Sequence, residues 1–156
     1  MFRVGIIGPE CTGKSTLAQF LAERLGGVCV PEYARTYVEQ KGTTEVSYDE
    51  LCALAKHQIE EMKDEGMKDD GKYVFFDTEL IITKVWFEYA FGKVPEWLDE
   101  AILTYRMDWY LLCQPDIPWI ADPTRSNGTD EIRWELYHRY EKELQQLGLP
   151  YFIIRH

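Results

Sequence analysis

Short apolar runs alternate with segments of helical periodicity along the whole chain. Apolar runs of this length are typical of strands that are covered on both faces of a sheet. The pattern predicts five strands, at residues 4–7, 28–30, 73–76, 110–113 and 151–154.

Helical periodicity fills most of the chain between these runs. Leu17, Leu21 and Leu25 recur every fourth residue, which predicts a helix that ends near Gly26 and Gly27. The tetrapeptide Ser47-Tyr48-Asp49-Glu50 has the form of a capping box and predicts the start of a long helix that reaches about residue 65. We expect further helices at 81–91, 95 to about 105 and 131–147, and loops at 63–72 and 114–130.

Strands that alternate with helices favour a parallel sheet with helices on both sides. The 156 residues suit one compact domain, so the sequence predicts a single three-layer α/β domain over residues 1–156.

Composition narrows the classes of partner. Hydrophobic residues make up 46% of the chain, as in globular proteins, and the net charge of −10 argues against a nucleic-acid partner. A nucleotide ligand remains compatible with that charge, because a small site can be locally positive. The sequence shows no apolar run of the ~20 residues that a membrane span needs and no visible signal peptide. Its four cysteines are widely spaced, so we expect neither a zinc site nor disulfides, and we expect a cytoplasmic protein.

The turn after the first strand carries the clearest chemistry. Residues 8–15 read GPECTGKS and match the phosphate-binding pattern G-x-x-x-x-G-K-[ST], with a strand before it and a helix after it. In such a loop the backbone N–H groups and the helix N-terminus face a phosphate, the lysine reaches the β- and γ-phosphates, and the hydroxyl binds Mg²⁺. The alternative is an ordinary glycine-rich junction. The predicted nucleotide-binding residues are Gly8, Pro9, Glu10, Cys11, Thr12, Gly13, Lys14, Ser15 and Thr16.

Acidic residues follow two of the predicted strands, at the edge where α/β sheets bind ligands. Asp77 suits a Mg²⁺ ligand, although it could instead cap a helix. Glu32 could accept the proton of an attacking hydroxyl or bind a ribose hydroxyl, or it could be a solvated loop acid. Glu79 is a weaker candidate for the same chemistry.

Arginines could stabilise the charge that develops on a transferred phosphoryl group. Arg125 lies in the proline-rich loop and Arg133 just beyond it, which together suggest a lid over about residues 115–133. Arg35, placed on the turn after Glu32, could contact the acceptor or a phosphate. Surface arginines without such a role are the alternative.

Five segments occur in an order that resembles the ribosylnicotinamide kinase domains of the NadR family and the wider NadR-like P-loop ATPases. They are GPECTGKST, VPEYAR, the His57-Gln58 pair, FFDTELIITKVW and PDIPWIADPTR. The resemblance implies a parallel sheet of order 2-3-1-4-5 and transfer of the γ-phosphoryl of ATP to the 5′-hydroxyl of nicotinamide riboside. It implies that Lys14 and Ser15 bind phosphate, that Asp77 is the strand-end aspartate, that Glu32 faces the riboside and that Arg125 acts from the lid.

The chain departs from this family on the acceptor side. Pro31 stands where the family has a tryptophan suited to stacking on the nicotinamide ring, and the lid reads Asp-Pro-Thr-Arg instead of Asp-Gly-x-Arg. The chain also ends directly after the fifth predicted strand, where a closing helix would be expected. The acceptor-side candidates are Tyr33, Arg35, His57, Gln58, Trp86, Tyr89 and Trp119, any of which could instead serve the core or the surface.

The sequence therefore favours a kinase that uses ATP and Mg²⁺ on a small nucleoside acceptor, with no nucleic-acid or membrane partner. A nucleotide-dependent switch that binds a protein, and a binding domain without turnover, are the alternatives. Oligomeric state is not indicated.

Overall fold

The computed structural model describes residues 2–9, 12–43, 45–67, 72–116 and 130–155. Within these ranges the strands and helices follow one another in an α/β alternation. They are β1 (Phe2–Ile7), α1 (Lys14–Leu25), β2 (Val28–Val30), α2 (Tyr33–Lys41), α3 (Tyr48–Met67), β3 (Tyr73–Asp77), α4 (Leu80–Phe91), α5 (Glu96–Thr104), β4 (Trp109–Cys113), α6 (Asp130–Gln146) and β5 (Tyr151–Ile154).

The strands form one parallel sheet of order β2-β3-β1-β4-β5, which confirms the predicted fold class and strand order. The register pairs Ile6 of β1 with Asp77 of β3, and Ile7 of β1 with Leu112 of β4. The carboxyl ends of the three central strands therefore meet at one edge. The loop after β1 leaves the sheet beside Asp77.

The two faces of the sheet bury cores of different size. Helix α1 covers one face, where Val4 and Ile6 pack against Ala18 and Ala22. Helices α3, α4, α5 and α6 bury the larger core on the other face, with Leu51, Leu80, Leu98, Leu136 and Leu144 among its members. Helices thus lie on both sides of the sheet, as the alternation of the sequence predicts.

The capping box at the start of α3 is confirmed. The Glu50 N–H donates to Ser47 Oγ at 3.1 Å, and the Ser47 N–H donates to Glu50 Oε1 at 3.2 Å. Lys41 at the end of α2 donates to both oxygens of the Glu50 carboxylate at 2.7 Å, and this ion pair joins the two helices. These hydrogen bonds hold the pKa of Glu50 low, at about 2.

Helix α2 corrects one expectation. Arg35 does not lie on a turn, because residues Tyr33–Lys41 form a helix that begins directly after Glu32. Only Ala34 and Val38 of this helix are buried, so its nine residues carry little apolar periodicity. The expected lid boundaries also change, since α6 begins at Asp130 and includes the last four residues of the range 115–133.

Among the residues that the structure describes, none of the helices combines the length and the apolar character that a membrane crossing would require.

Candidate active site

Two positions between β1 and α1 require glycine, each for a different reason. A Cβ atom at Gly8 would lie 2.8 Å from the Cys113 carbonyl oxygen, so only glycine fits beside the end of β4. Gly13 has a φ of 79° and forms the N-cap of α1, a left-handed conformation that glycine adopts without strain. The spacing of the two glycines in the sequence therefore reflects a real geometric demand.

Lys14 is held inside this loop. Its side chain is buried, and its Nζ donates to the Pro9 carbonyl oxygen at 2.8 Å. The Thr12 hydroxyl donates to the same oxygen at 2.9 Å. An ammonium group on a flexible four-carbon stem can exchange a carbonyl for a phosphate oxygen at little geometric cost. The loop thus keeps a cation at the N-terminus of α1, where the helix dipole also favours an anion.

Ser15 and Asp77 face each other across the junction of α1 and β3. The Ser15 hydroxyl donates to Asp77 Oδ2 at 2.5 Å, and the Asp77 side chain is buried. A hydroxyl and a carboxylate are hard oxygen donors of the kind that Mg²⁺ binds, usually one or two from protein with the rest from phosphates and water. The described residues contain no group of three or more His, Cys, Asp or Glu side chains that could hold a metal by themselves. The pair therefore fits Mg²⁺ that is shared with a nucleotide.

Glu79 lies on the opposite face of the sheet from Asp77. In a regular strand, residues two apart share a face, but Thr78 between them has a φ of 73° and breaks the alternation. A Cβ at Gly5 would lie 3.2 Å from both Glu79 Cγ and a ring carbon of Tyr110, which belongs to the larger core. Glu79 is thus directed away from the phosphate loop.

The Glu79 carboxyl has a structural position at the start of α4. Its Oε1 accepts a hydrogen bond from the Ile81 N–H at 2.7 Å, and the side chain is 2% exposed. Burial raises its pKa to about 8, and the N–H groups of Leu80 and Ile81 lower the pKa only in part. At neutral pH this group is therefore mainly an uncharged helix cap.

The acceptor-side candidates on α2 and α3 lie near the carboxyl end of β2. Glu32 occupies the N-cap position of α2, and its side chain does not cap the helix N–H groups. The Tyr33 ring stacks on the His57 ring with centroids 3.6 Å apart, which joins α2 to α3. Gln58 is buried, and its Oε1 accepts from the Thr83 hydroxyl of α4 at 2.6 Å. Arg35 extends along its own helix toward Glu39, at 3.4 Å.

Two further aromatic candidates lie on α4, and the structure gives each a packing partner. Trp86 is half-buried against the larger core. Tyr89 is exposed and has the Arg139 guanidinium 5.4 Å from its ring centroid. Neither contact brings the ring beside Lys14 or Asp77. Four predicted site residues lie outside the described ranges, namely Glu10, Cys11, Trp119 and Arg125.

Arg133 has a position that the sequence did not suggest. It lies in the first turn of α6 with no exposed surface, and its Nη2 donates to the Pro115 carbonyl oxygen at 2.9 Å. Its Nε is 3.9 Å from Asp130. A guanidinium buried in this way connects the segment after β4 to the start of α6, so Arg133 is a fixed part of the fold in this structure and not an exposed lid residue.

A second buried cation was not predicted at all. Lys84 of α4 contacts Glu143 of α6 at 2.6 Å and Asp99 of α5 at 2.7 Å. A lysine in the middle of the apolar segment 80–87 is the signal that sequence reasoning passed over. Glu88, one turn further on, shares a hydrogen bond with Glu143, and burial together with that bond raises the pKa of Glu88 to about 7.

These features define a class of protein. A strand, a glycine turn and a helix that begins Lys-Ser stand beside a strand-end aspartate in a parallel 2-3-1-4-5 sheet, which is the architecture of a P-loop nucleotide-binding domain. The chain belongs to the AAA domain family AAA_28, whose model matches residues 3–156.

Known proteins with a similar sequence or fold include NadR and a nucleoside kinase. The chain is 28% identical over 151 residues to the trifunctional NAD biosynthesis/regulator protein NadR of Escherichia coli (strain K12), which covers 95% of this chain and 37% of that protein. The chain thus spans little more than a third of this relative's length. Its fold is similar to the crystal structure of NadR in complex with NR, with a TM-score of 0.77 and 23% identity over 99% of this chain and 44% of that one. It is also similar to deoxyadenosine kinase from M. mycoides, with a TM-score of 0.64 and 16% identity over 99% and 90% of the two chains.

Proposed function

We propose that this protein is an ATP-dependent kinase that phosphorylates the 5′-hydroxyl of nicotinamide riboside or a closely related nucleoside. The observation that carries the proposal is the Ser15–Asp77 hydrogen bond, which places a buried strand-end carboxylate against the phosphate loop. In a phosphoryl-transfer enzyme, catalysis consists mainly of holding the two substrates in line and of stabilising the charge on the transferred group.

The nucleotide would be bound at the start of α1. The backbone N–H groups of the loop at residues 8–13, except that of Pro9, which has none, would hold its phosphates together with Lys14, Ser15 and Thr16. Lys14 would leave the Pro9 carbonyl for a phosphate oxygen. Ser15 and Asp77 would hold Mg²⁺, which would supply positive charge to the β- and γ-phosphates. Arg125 is proposed to reach the transferred phosphoryl group from the segment before α6. Because Arg133 is buried and bonded to the Pro115 carbonyl, we propose that it holds the ends of that segment and does not contact the phosphoryl group itself.

The acceptor would be bound between the carboxyl end of β2 and the α3–α4 pair. Its 5′-oxygen attacks the γ-phosphorus, the bond to the bridging oxygen breaks, and ADP leaves. Glu32 is proposed to accept the proton of that hydroxyl, with Asp77 as the other carboxylate at this edge. Tyr33, Arg35, Gln58, Trp86 and Trp119 are the proposed acceptor contacts. The Tyr33–His57 stack and the Gln58–Thr83 hydrogen bond support the assignment to α2 and α3, because each contact fixes the orientation of a proposed acceptor-binding side chain.

The comparisons support the chemistry on two counts. The family relative bears the name of an NAD biosynthesis protein, and the similar NadR structure contains NR. The fold similarity to deoxyadenosine kinase extends over almost the full length of both chains. Both agree with a nucleoside-type acceptor, and the NadR family points to the nicotinamide nucleoside among them.

The test is ADP formation from Mg·ATP in the presence of nicotinamide riboside, adenosine, deoxyadenosine or cytidine, with mass spectrometry of the product. We expect strong stimulation by nicotinamide riboside and a product heavier than the riboside by one phosphoryl group. Equal slow ADP formation with every nucleoside would instead indicate a nucleotide-dependent switch and would contradict the proposal.

A pair of glutamate variants tests the acceptor side. Glu32→Gln removes the proposed proton acceptor, and we expect it to lower riboside-dependent ADP formation on the order of 10²- to 10⁴-fold. Background ATP hydrolysis should fall much less. Glu100→Gln is the matched control, since Glu100 is an exposed glutamate on α5. An equal loss in both variants, or an equal loss of hydrolysis and transfer in Glu32→Gln, would remove Glu32 from this role.

A further inference from the structure

Thr78 has an unusual backbone conformation at the site of the proposed chemistry. Among the residues that the structure describes, Thr78 alone combines a side chain with a positive φ, of 73°. A β-branched residue rarely adopts this left-handed conformation, which costs about 1–3 kcal/mol and persists only where the surrounding structure imposes it. Thr78 directly follows Asp77, and its N–H donates to the Ile6 carbonyl oxygen at 3.0 Å.

The side chain of Thr78 is unusual as well. It is 8% exposed, and its hydroxyl has no hydrogen-bond partner within the described part of the chain. A buried hydroxyl without a partner is unfavourable, and a fold that needed only shape at this position would be better served by an apolar side chain. Glycine would relieve the strained backbone at the same time. Both costs fall on one residue, which points to a role that appears when a ligand is bound.

The place of Thr78 in the sheet indicates the ligand. Ile6 is the register partner of Asp77, and the phosphate loop begins two residues after Ile6. If Asp77 and Ser15 hold Mg²⁺ together with the nucleotide phosphates, the next residue at the carboxyl edge of β3 would lie close to the terminal phosphoryl group. The oxygens of that group are strong acceptors for a hydroxyl donor.

We propose that the Thr78 hydroxyl donates a hydrogen bond to a γ-phosphoryl oxygen of the bound nucleotide, and that its left-handed backbone is retained because it places this donor while it separates Asp77 from Glu79. The inference rests on the proposed nucleotide-dependent function. It adds a residue that distinguishes a nucleoside triphosphate from a diphosphate.

Three substitutions separate the hydroxyl from the backbone. Thr78→Val keeps the shape and removes the donor, Thr78→Ser keeps the donor, and Thr78→Gly removes the donor while it relieves the backbone. Calorimetry with Mg²⁺ measures the affinity for the ATP analogue AMP-PNP and for ADP. We expect Thr78→Val and Thr78→Gly to weaken AMP-PNP binding about 10-fold to 100-fold, as for a hydrogen bond to a charged oxygen, and to leave ADP binding within about twofold. Thr78→Ser should bind both nucleotides like the wild type.

The controls keep the result interpretable. Thr36→Val is the matched control, because Thr36 lies exposed on α2, and it should change neither affinity. Glycine adopts a positive φ without strain, so Thr78→Gly should unfold at a higher urea concentration than the wild type. Its AMP-PNP and ADP affinities therefore test the proposal even if the valine variant does not fold. Equal AMP-PNP affinity in the wild type and Thr78→Gly, or an equal loss of ADP and AMP-PNP binding, would overturn the proposal. A wild type that binds AMP-PNP but phosphorylates no nucleoside would refute the proposed function and leave this test intact.

Discussion

Replacing Glu79 by glutamine should make the protein more stable than the wild type, by a margin that grows as the pH rises. The glutamine amide copies the protonated carboxyl in shape and keeps an oxygen that can accept the hydrogen bond from the Ile81 N–H. It cannot ionise. The substitution therefore removes the cost of placing a carboxylate in the core beside Gly5 and Tyr110, and it leaves the cap of α4 in place.

The magnitude follows from the pKa of Glu79, which burial raises from 4.5 to about 8. Because the folded protein keeps a proton that the unfolded chain releases, this group favours folding fully below pH 4.5. That contribution is lost as the pH rises to about 8, at up to ~1.4 kcal/mol per pH unit. Between pH 5 and pH 8 the free energy of unfolding of the wild type should therefore fall by roughly 3–4 kcal/mol relative to Glu79→Gln.

The assay is urea unfolding of both proteins at pH 5, 6, 7 and 8, followed by circular dichroism. Taking the difference between the two proteins at each pH cancels the titration of the other groups. Glu88→Gln is the matched control. The pKa of Glu88 is raised only to about 7 and its side chain is half-buried, so its difference should be smaller and should stop growing near pH 7. A difference between Glu79→Gln and wild type that stays constant across this range would refute the assignment of a buried, uncharged Glu79.

Three other variants test the structural and nucleotide-binding assignments. Ser47→Ala removes the oxygen that accepts the Glu50 N–H and should lower the free energy of unfolding by about 1 kcal/mol in the same urea assay; no change would contradict the capping box. Lys84→Met leaves Glu143 without its buried cation and should cost about 3 kcal/mol or more at pH 7. The loss should be smaller at pH 5, because Glu88, whose pKa is raised to about 7, is then uncharged beside Glu143; a loss independent of pH would argue against this ion group. Asp77→Asn keeps an oxygen for the Ser15 hydroxyl but loses the negative charge. In calorimetry, added Mg²⁺ should then no longer increase the affinity for AMP-PNP, whereas an unchanged dependence of that affinity on Mg²⁺ would place the metal elsewhere.

The sequence predicted the parts of the fold that a regular pattern of neighbouring residues encodes. Five apolar runs became the five strands, and the resemblance to the NadR family implied the order that the sheet adopts. The capping box at Ser47 was predictable because two side chains and two N–H groups within one turn decide it. Helix α2 was not predicted, since two buried residues in nine do not establish a helical period.

The candidate site also has parts that the sequence predicted and parts that it did not. The strand–loop–helix arrangement around Gly8 and Gly13 was predictable because these glycines, Lys14 and Ser15 lie within a single short stretch of the sequence. The separation of Asp77 from Glu79 was not, because strand periodicity places residues two apart on one face, and only the left-handed conformation of Thr78 overrides it. Arg133 was expected at a lid, and its full burial could not be anticipated, since it depends on the Pro115 carbonyl being held at the end of β4.

The central claim is that residues 8–15 and Asp77 form a nucleotide-phosphate site, and the affinity of the Lys14→Ala variant for AMP-PNP tests it most directly. Calorimetry with Mg²⁺ should show saturable 1:1 binding to the wild type and a loss of at least 10-fold in Lys14→Ala, with the circular dichroism spectrum unchanged. Binding to Lys14→Ala as tight as to the wild type, or no binding to the folded wild type, would contradict the account.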